Sequence, residues 1–307
     1  MSKKIALIGF GEAGRTFAQA GGWRARARVF DIKADDTMRA AYAAHGVTDC
    51  ESLAAALDGA DIVLSLVTAD QATPAAQAAA ASGALGKDAL FCDMNSVSPG
   101  RKRANAQAID AAGGRYVDVA VMAPVQPAAL DVPLLLSGPA AGDAAEVLRA
   151  IGFTRITLCG ARIGDASATK MVRSVMIKGI EALTAEMMLA ADAAGVAQGV
   201  LASLGGDWAA KADYNLDRML AHGTRRAAEM DEVAQTLREL GLEPLMIAGT
   251  IVRQRALGAL LGDAPMPEGL DAKLALVTGR DDAGQNNAGQ DDARHARDRI
   301  EGKAEPA

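Results

Sequence analysis

The sequence predicts an α/β domain built on a doubly wound, mostly parallel sheet, joined by a long helix to an all-helical domain. Three observations carry this. Up to about residue 160, short apolar runs alternate with Ala-rich stretches of helical character. The run Asp61-Ile62-Val63-Leu64-Ser65-Leu66-Val67 is nearly all apolar, as a strand covered on both faces should be. After Gly164 the alternation ends and no convincing strand follows.

Taken in order, the strand candidates are 4–9, 27–31, 61–67, 89–93, 115–119, 132–137 and 154–159. The helical stretches between them are 12–20, 35–45, 51–58, 71–82, 100–112 and 142–150. Residues 166–194 then hold no proline and one glycine, Gly179. Apolar side chains recur there at helical spacing: Met171, Val175, Met176, Ile180, Leu183, Met187 and Leu189. A helix of about 28 residues would span about 42 Å. Further helices are predicted near 197–204, 206–220, 224–240 and 244–261. The expected domains are therefore 1–162, 163–277 and a polar tail, 278–307, with too few apolar groups to offset its chain entropy and so disordered.

The first strand runs into Gly9-Phe10-Gly11-Glu12-Ala13-Gly14, a G-x-G-x-x-G turn that opens a helix. Gly9 permits the tight turn, Gly11 lets a pyrophosphate approach the backbone, and Gly14 lets the helix pack closely on the sheet. The helix N-terminus supplies amide donors for phosphate. A second apolar run ends in Asp31, where this fingerprint places a carboxylate for the ribose hydroxyls. That acid repels a 2′-phosphate, so NAD is expected over NADP. The domain is thus of Rossmann type, with Gly9, Phe10, Gly11, Glu12, Ala13, Gly14, Asp31 and Val67 as cofactor-binding candidates.

Composition narrows the class. Half of the 307 residues are hydrophobic but only 3% are aromatic, so Ala, Val, Leu, Ile and Met must build the core. A net charge of −6 without a basic block argues against nucleic acid as a partner. No apolar stretch approaches a membrane span, and no room for a signal peptide precedes the first strand. Cys50, Cys92 and Cys159 are widely spaced and lack a C-x-x-C pattern, so reduced thiols and no metal site are expected. The reading is a soluble, cytoplasmic enzyme.

Three further segments carry chemistry. Cys92-Asp93-Met94-Asn95-Ser96-Val97-Ser98-Pro99 follows a strand, and its short polar side chains would face the nicotinamide end of a cofactor. Tyr116-Val117-Asp118-Val119-Ala120-Val121-Met122-Ala123-Pro124-Val125 ends another strand. The stretch Gly160 to Ser174 opens the long helix and places Lys170 one turn in. Together these segments resemble the β-hydroxyacid dehydrogenase family, which includes 3-hydroxyisobutyrate dehydrogenase and, more distantly, 6-phosphogluconate dehydrogenase. The resemblance covers residues 1 to about 260. It implies dimers or tetramers, Lys170 as catalytic acid/base, and Asn95 and Ser96 near the nicotinamide. Physical chemistry is compatible with that role: a lysine at a helix start beside a cationic nicotinamide is pushed toward neutrality and can take the alcohol proton.

Departures from the family shape the expected substrate. Its Ser-Gly-Gly turn for a substrate carboxylate matches Met122, Ala123 and Pro124 here. Methionine has no hydroxyl and proline no N–H. The family's asparagine one turn after the lysine is Ser174, and Lys178 shares a helix face with Lys170 and Ser174. The family's later lysine is missing, since its Lys-Asp element aligns with Ala228-Glu229. His222 and Arg225 stand just upstream, with His222 read either as a substrate group or as a helix cap. A bulkier, partly apolar substrate is expected, bound by Met122, Ala123, Pro124, Lys178, His222 and Arg225, with Ser174 assisting Lys170. Oxidation-primed C–C cleavage with bound NAD and a non-catalytic NAD(H) sensor are the alternatives; imine reduction is disfavoured by the retained Lys170. Apolar residues on two faces of the long helix, Met176, Ile180 and Leu183 against Met187, Met188 and Leu189, predict a homodimer.

Overall fold

A computed structural model describes residues 3–262 and 264–279. Its strands are β1 (Ile5–Ile8), β2 (Ala27–Phe30), β3 (Thr48–Asp49), β4 (Ile62–Ser65), β5 (Leu90–Asp93), β6 (Arg115–Val121), β7 (Leu134–Ser137) and β8 (Ile156–Gly160). They form one sheet in the order β3-β2-β1-β4-β5-β6-β7-β8. Every neighbouring pair is parallel except β6 with β7. The sequence order reverses at β1, the switch point where such sheets bind ligands beyond the strand ends.

Both faces of the sheet are buried. Ile5 and Leu7 join a cluster with Phe17, Val29, Leu64 and Leu148. Ala6 and Ile8 point the other way, to Val63, Phe91, Ile109 and Tyr116. Helices α1 (Glu12–Gly21), α2 (Asp36–His45), α3 (Leu53–Leu57), α4 (Ala72–Ala81), α5 (Pro99–Ala111) and α6 (Ala141–Ala150) fall where periodicity places them. β3 was not expected: two exposed polar residues give no apolar run and owe their strand geometry to pairing with β2.

The helical half comprises α7 (Asp165–Ala193), α8 (Ala197–Leu204), α9 (Trp208–Glu239), α10 (Leu245–Gly258) and α11 (Leu270–Thr278). Two helices were expected across 206–240, but α9 is continuous. Gly223 does not break it. A Cβ there would stand 2.2 Å from the Gln254 carbonyl oxygen, so this glycine serves close approach of α9 and α10. His222 consequently lies inside a helix and not at a helix end.

The described residues divide into two compact units, one within 3–176 and 228–247, the other within 177–227, 248–262 and 264–279. The expected boundary at 162/163 thus differs from the division by contact, because α7 begins bonded to the sheet and residues 228–247 return to the first unit. The second unit packs around Ala182, Ala185, Met188, Leu216, Met219 and Leu257. Along α7, Met176, Ile180 and Leu183 are exposed while Met188 is fully buried. The expected tail lies outside the described residues from 280 onward.

Candidate functional site

The glycine turn is built as its spacing requires. Gly9 has φ +92°, and a Cβ there would meet the Leu66 carbonyl oxygen at 2.8 Å. One on Gly14 would meet the Gly9 oxygen at 2.9 Å, so the helix sits tightly on the turn. A Cβ on Gly11 meets nothing within 4 Å, and no side chain caps α1 there. The open, uncapped N-terminus fits a pyrophosphate. Glu12 is exposed and Ala13 half-buried on the first turn of α1, and Val67 closes over Gly9.

Phe10 contributes only backbone, because its ring is buried against Tyr42. Its N–H donates to Asp31 Oδ2 at 2.8 Å, and the Lys33 N–H donates to Asp31 Oδ1 at 2.9 Å. The carboxylate is thereby held at the mouth of the turn, half-buried, where a ribose would lie.

The second arm follows β5. Asn95 is buried, and its Nδ2 donates to Ser65 Oγ at 3.0 Å and Asp93 Oδ1 at 2.8 Å. Its amide is turned into the sheet, with Oδ1 lacking a hydrogen-bond partner. Ser96 is half-buried and accepts from Lys170 Nζ at 2.6 Å. Lys170 stands on the second turn of α7, and Ser174, one turn further, is buried. Met122 is half-buried with its carbonyl accepting from Arg173 at 3.2 Å; Ala123 and Pro124 are exposed. These residues belong to the first unit, whereas Lys178, His222 and Arg225 belong to the second. There Lys178 lies on α7 and His222 and Arg225 lie on α9.

Beneath Ser96 and Lys170 lies a network that sequence reasoning missed. Asp93, Lys102 and Asp118 are all fully buried. Lys102 Nζ bonds the Asp93 carbonyl oxygen at 2.6 Å and lies 3.1 Å from Asp93 Oδ1 and 3.4 Å from Asp118 Oδ1. Tyr116 donates its hydroxyl to Asp93 Oδ2 at 2.6 Å, and burial together with that carboxylate pushes the phenol well above its ordinary pKa. Burial also pushes the Cys92 thiol up to about 12, so it is inert as a nucleophile. A signal for Lys102 exists: Pro99, Lys102, Asn105, Ala106 and Ile109 form the buried stripe of α5 at helical spacing.

The N-terminus of α5 is held by two carboxylates from α9. Glu232 Oε2 accepts from the Ser98 N–H at 2.9 Å, and Glu239 accepts from Ser98 Oγ and the Gly100 N–H, each at 2.8 Å. Burial raises the Glu232 pKa, while the Ser98 N–H and Arg101 counteract it. No described helix is long and apolar enough to cross a membrane.

Residues 4–160 match the NAD binding domain of 6-phosphogluconate dehydrogenase, and residues 191–257 match a domain of unknown function (DUF1932). A conserved hypothetical protein from Sinorhizobium meliloti is 37% identical with a TM-score of 0.73, over 91% of this chain and 97% of its own. A conserved protein of unknown function, described as structurally similar to 3-hydroxyacid dehydrogenases, is 30% identical with a TM-score of 0.67, over 83% and 97%. The 3-hydroxyisobutyrate dehydrogenase of Mycobacterium tuberculosis shares the fold at 18% identity and a TM-score of 0.68, over 91% and 99%.

Proposed function

Because this chain belongs to the family of the NAD binding domain of 6-phosphogluconate dehydrogenase, we propose that it is an NAD-dependent oxidoreductase acting on a primary or secondary alcohol. The observation that carries the reading is the 2.6 Å bond from Lys170 Nζ to Ser96 Oγ, in the same unit as the glycine turn. Gly9 to Gly14 would hold the pyrophosphate and Asp31 the adenosine ribose, which favours NAD over NADP. Bound NAD supplies a hydride acceptor. Lys170, as the neutral amine, takes the proton from the alcohol oxygen and returns it in the reverse direction. Ser96 holds the Lys170 nitrogen in place through its hydroxyl.

Met122, Ala123 and Pro124 supply neither a side-chain hydroxyl nor, at Pro124, an amide donor, and this supports a bulky, partly apolar substrate over a small hydroxy acid. The free cysteines Cys50, Cys92 and Cys159 support a reducing, cytoplasmic setting. The exposed Met176, Ile180 and Leu183 on α7 support a homodimer, which light scattering at micromolar concentration tests; a monomer refutes it.

The test of activity is a panel of alcohols with NAD, followed by absorbance of the reduced nicotinamide. Lys170→Ala should lower turnover by about 10²- to 10⁴-fold with NAD affinity nearly unchanged. Near-normal turnover by that variant would overturn the assignment. Product mass distinguishes simple oxidation from oxidation followed by C–C cleavage.

A further inference from the structure

We infer that Lys102 is a positioning residue that sets Lys170 against Ser96; the inference rests on the reading of Lys170 as the acid/base. Two arms of the chain carry that pair, and each is tied to a buried carboxylate. On the first arm, Asp93 Oδ1 accepts from the Asn95 N–H at 3.0 Å and from Asn95 Nδ2 at 2.8 Å, which pins the residue just before Ser96. On the second, Asp118 Oδ2 accepts from the Gly164 N–H at 3.2 Å, the Ser167 N–H at 2.9 Å and Ser167 Oγ at 3.0 Å. Ser137 Oγ donates to the same oxygen at 3.1 Å and accepts from the Ala166 N–H at 2.9 Å. These bonds fix the first turn of α7, and Lys170 stands one turn beyond Ser167.

The Lys102 ammonium joins the two arms. It bonds Asp93 through both the main-chain carbonyl and the carboxylate, and it lies 3.4 Å from Asp118 Oδ1, an atom with no hydrogen-bond partner. Two carboxylates with no exposure need a cation between them. Here that cation bonds one arm and neutralises the other, so its removal frees each to move relative to the other. A helix N-terminus seated on a buried anion is also favoured by the helix dipole. In this network Lys102 acts through Asp93 and Asp118.

Reductive methylation with 13C-formaldehyde provides a readout independent of substrate, since a dimethylammonium at position 170 keeps one N–H for Ser96. The resonance is assigned by its absence from Lys170→Arg. In Lys102→Met it should move toward the resonances of surface lysines. Turnover per NAD-binding site should fall by roughly tenfold to a hundredfold, the scale of a misplacement near 1 Å, while NAD stoichiometry and affinity hold. Ser167→Ala, which removes one bond to Asp118 and keeps the fold, should move the resonance the same way by less. An unmoved resonance in folded Lys102→Met, or in Ser167→Ala where Lys102→Met does not fold, overturns the inference. Undiminished alcohol oxidation by Lys170→Ala would break the functional reading instead, and it would leave the resonance comparison standing.

Discussion

In the first unit the buried charges of Asp93, Lys102 and Asp118 reach for backbone groups, whereas in the second Glu181, Arg226 and Gln254 bond to one another across three helices. Asp93 and Asp118 between them accept from the amides of Asn95, Gly164 and Ser167, so their charge is spent on the exact course of the main chain beside Ser96 and Lys170. In the second unit Arg226 of α9 pairs with Glu181 of α7, and Gln254 of α10 donates to the other Glu181 oxygen at 2.9 Å. That arrangement staples helices and orders no loop. Charge aimed at backbone defines geometry for chemistry; charge aimed at side chains defines which helices neighbour one another.

The contrast can be broken most forcefully at the staple. Glu181→Ala leaves Arg226 buried without its carboxylate and should cost about 3–5 kcal/mol, read as a fall in the urea midpoint. A loss below 1 kcal/mol would mean that water reaches Arg226 and that the second unit is less tightly closed than its burial implies.

A second test uses one residue type in two helices. Gly223→Val pushes a side chain into the Gln254 carbonyl and the Gly258 backbone and should destabilise by about 1–3 kcal/mol or more. Gly179→Ala, where a Cβ meets nothing within 4 Å, should stabilise by up to about 1 kcal/mol through helix propensity. Thermal unfolding separates the two. Equal effects would show that α9 and α10 do not approach as closely as the glycine contact requires.

At the mouth of the glycine turn, Asp31→Ser removes the carboxylate that the Phe10 and Lys33 amides hold. The ratio of NAD to NADP affinity should fall about tenfold, or about 1.4 kcal/mol, measured by titration of nicotinamide fluorescence. Wild-type protein that binds NADP as tightly as NAD would refute the role given to Asp31.

The smallest effect belongs to Lys273 of α11. Burial pulls its ammonium down, but the bonds and charges of Asp213 and Asp217 together outweigh it and raise the pKa above its ordinary value. A raised lysine stabilises fully below its unfolded pKa of about 10.4 and loses the contribution as pH rises through the folded value. Lys273→Met should therefore cost about 0.5–1 kcal/mol at pH 8, with the gap to wild type closing above about pH 10.5. A gap that is the same at both pH values would show that the two carboxylates do not hold this proton.

Seven of the eight described strands and most helices were legible because apolar period and glycine position are local signals. Gly9, Gly11, Gly14 and Asp31 mark the nucleotide turn by spacing alone, and the structure shows why: a Cβ is excluded at two of the glycines and unopposed at the third. The gap expected between 220 and 224 did not form: the lack of a Cβ at Gly223 serves a helix contact, which only the presence of α10 reveals. Lys102 was hidden for a related reason. Its place in the buried stripe of α5 can be read from periodicity, but the partners that make a buried lysine tolerable lie on β5 and β6.

The sequence by itself determined the apolar runs of seven strands, the phosphate turn with its acid, and the position of Lys170 near the start of a long helix, because each depends on residues close together in the chain. Tertiary structure alone decided that Lys170 reaches Ser96, 74 residues away, and that Asn95 turns inward. It also decided that residues 228–247 return to the first unit, where Glu232 and Glu239 hold the start of α5. These are contacts between distant segments, and their energies come from desolvated charges and amides that meet only after the sheet has formed.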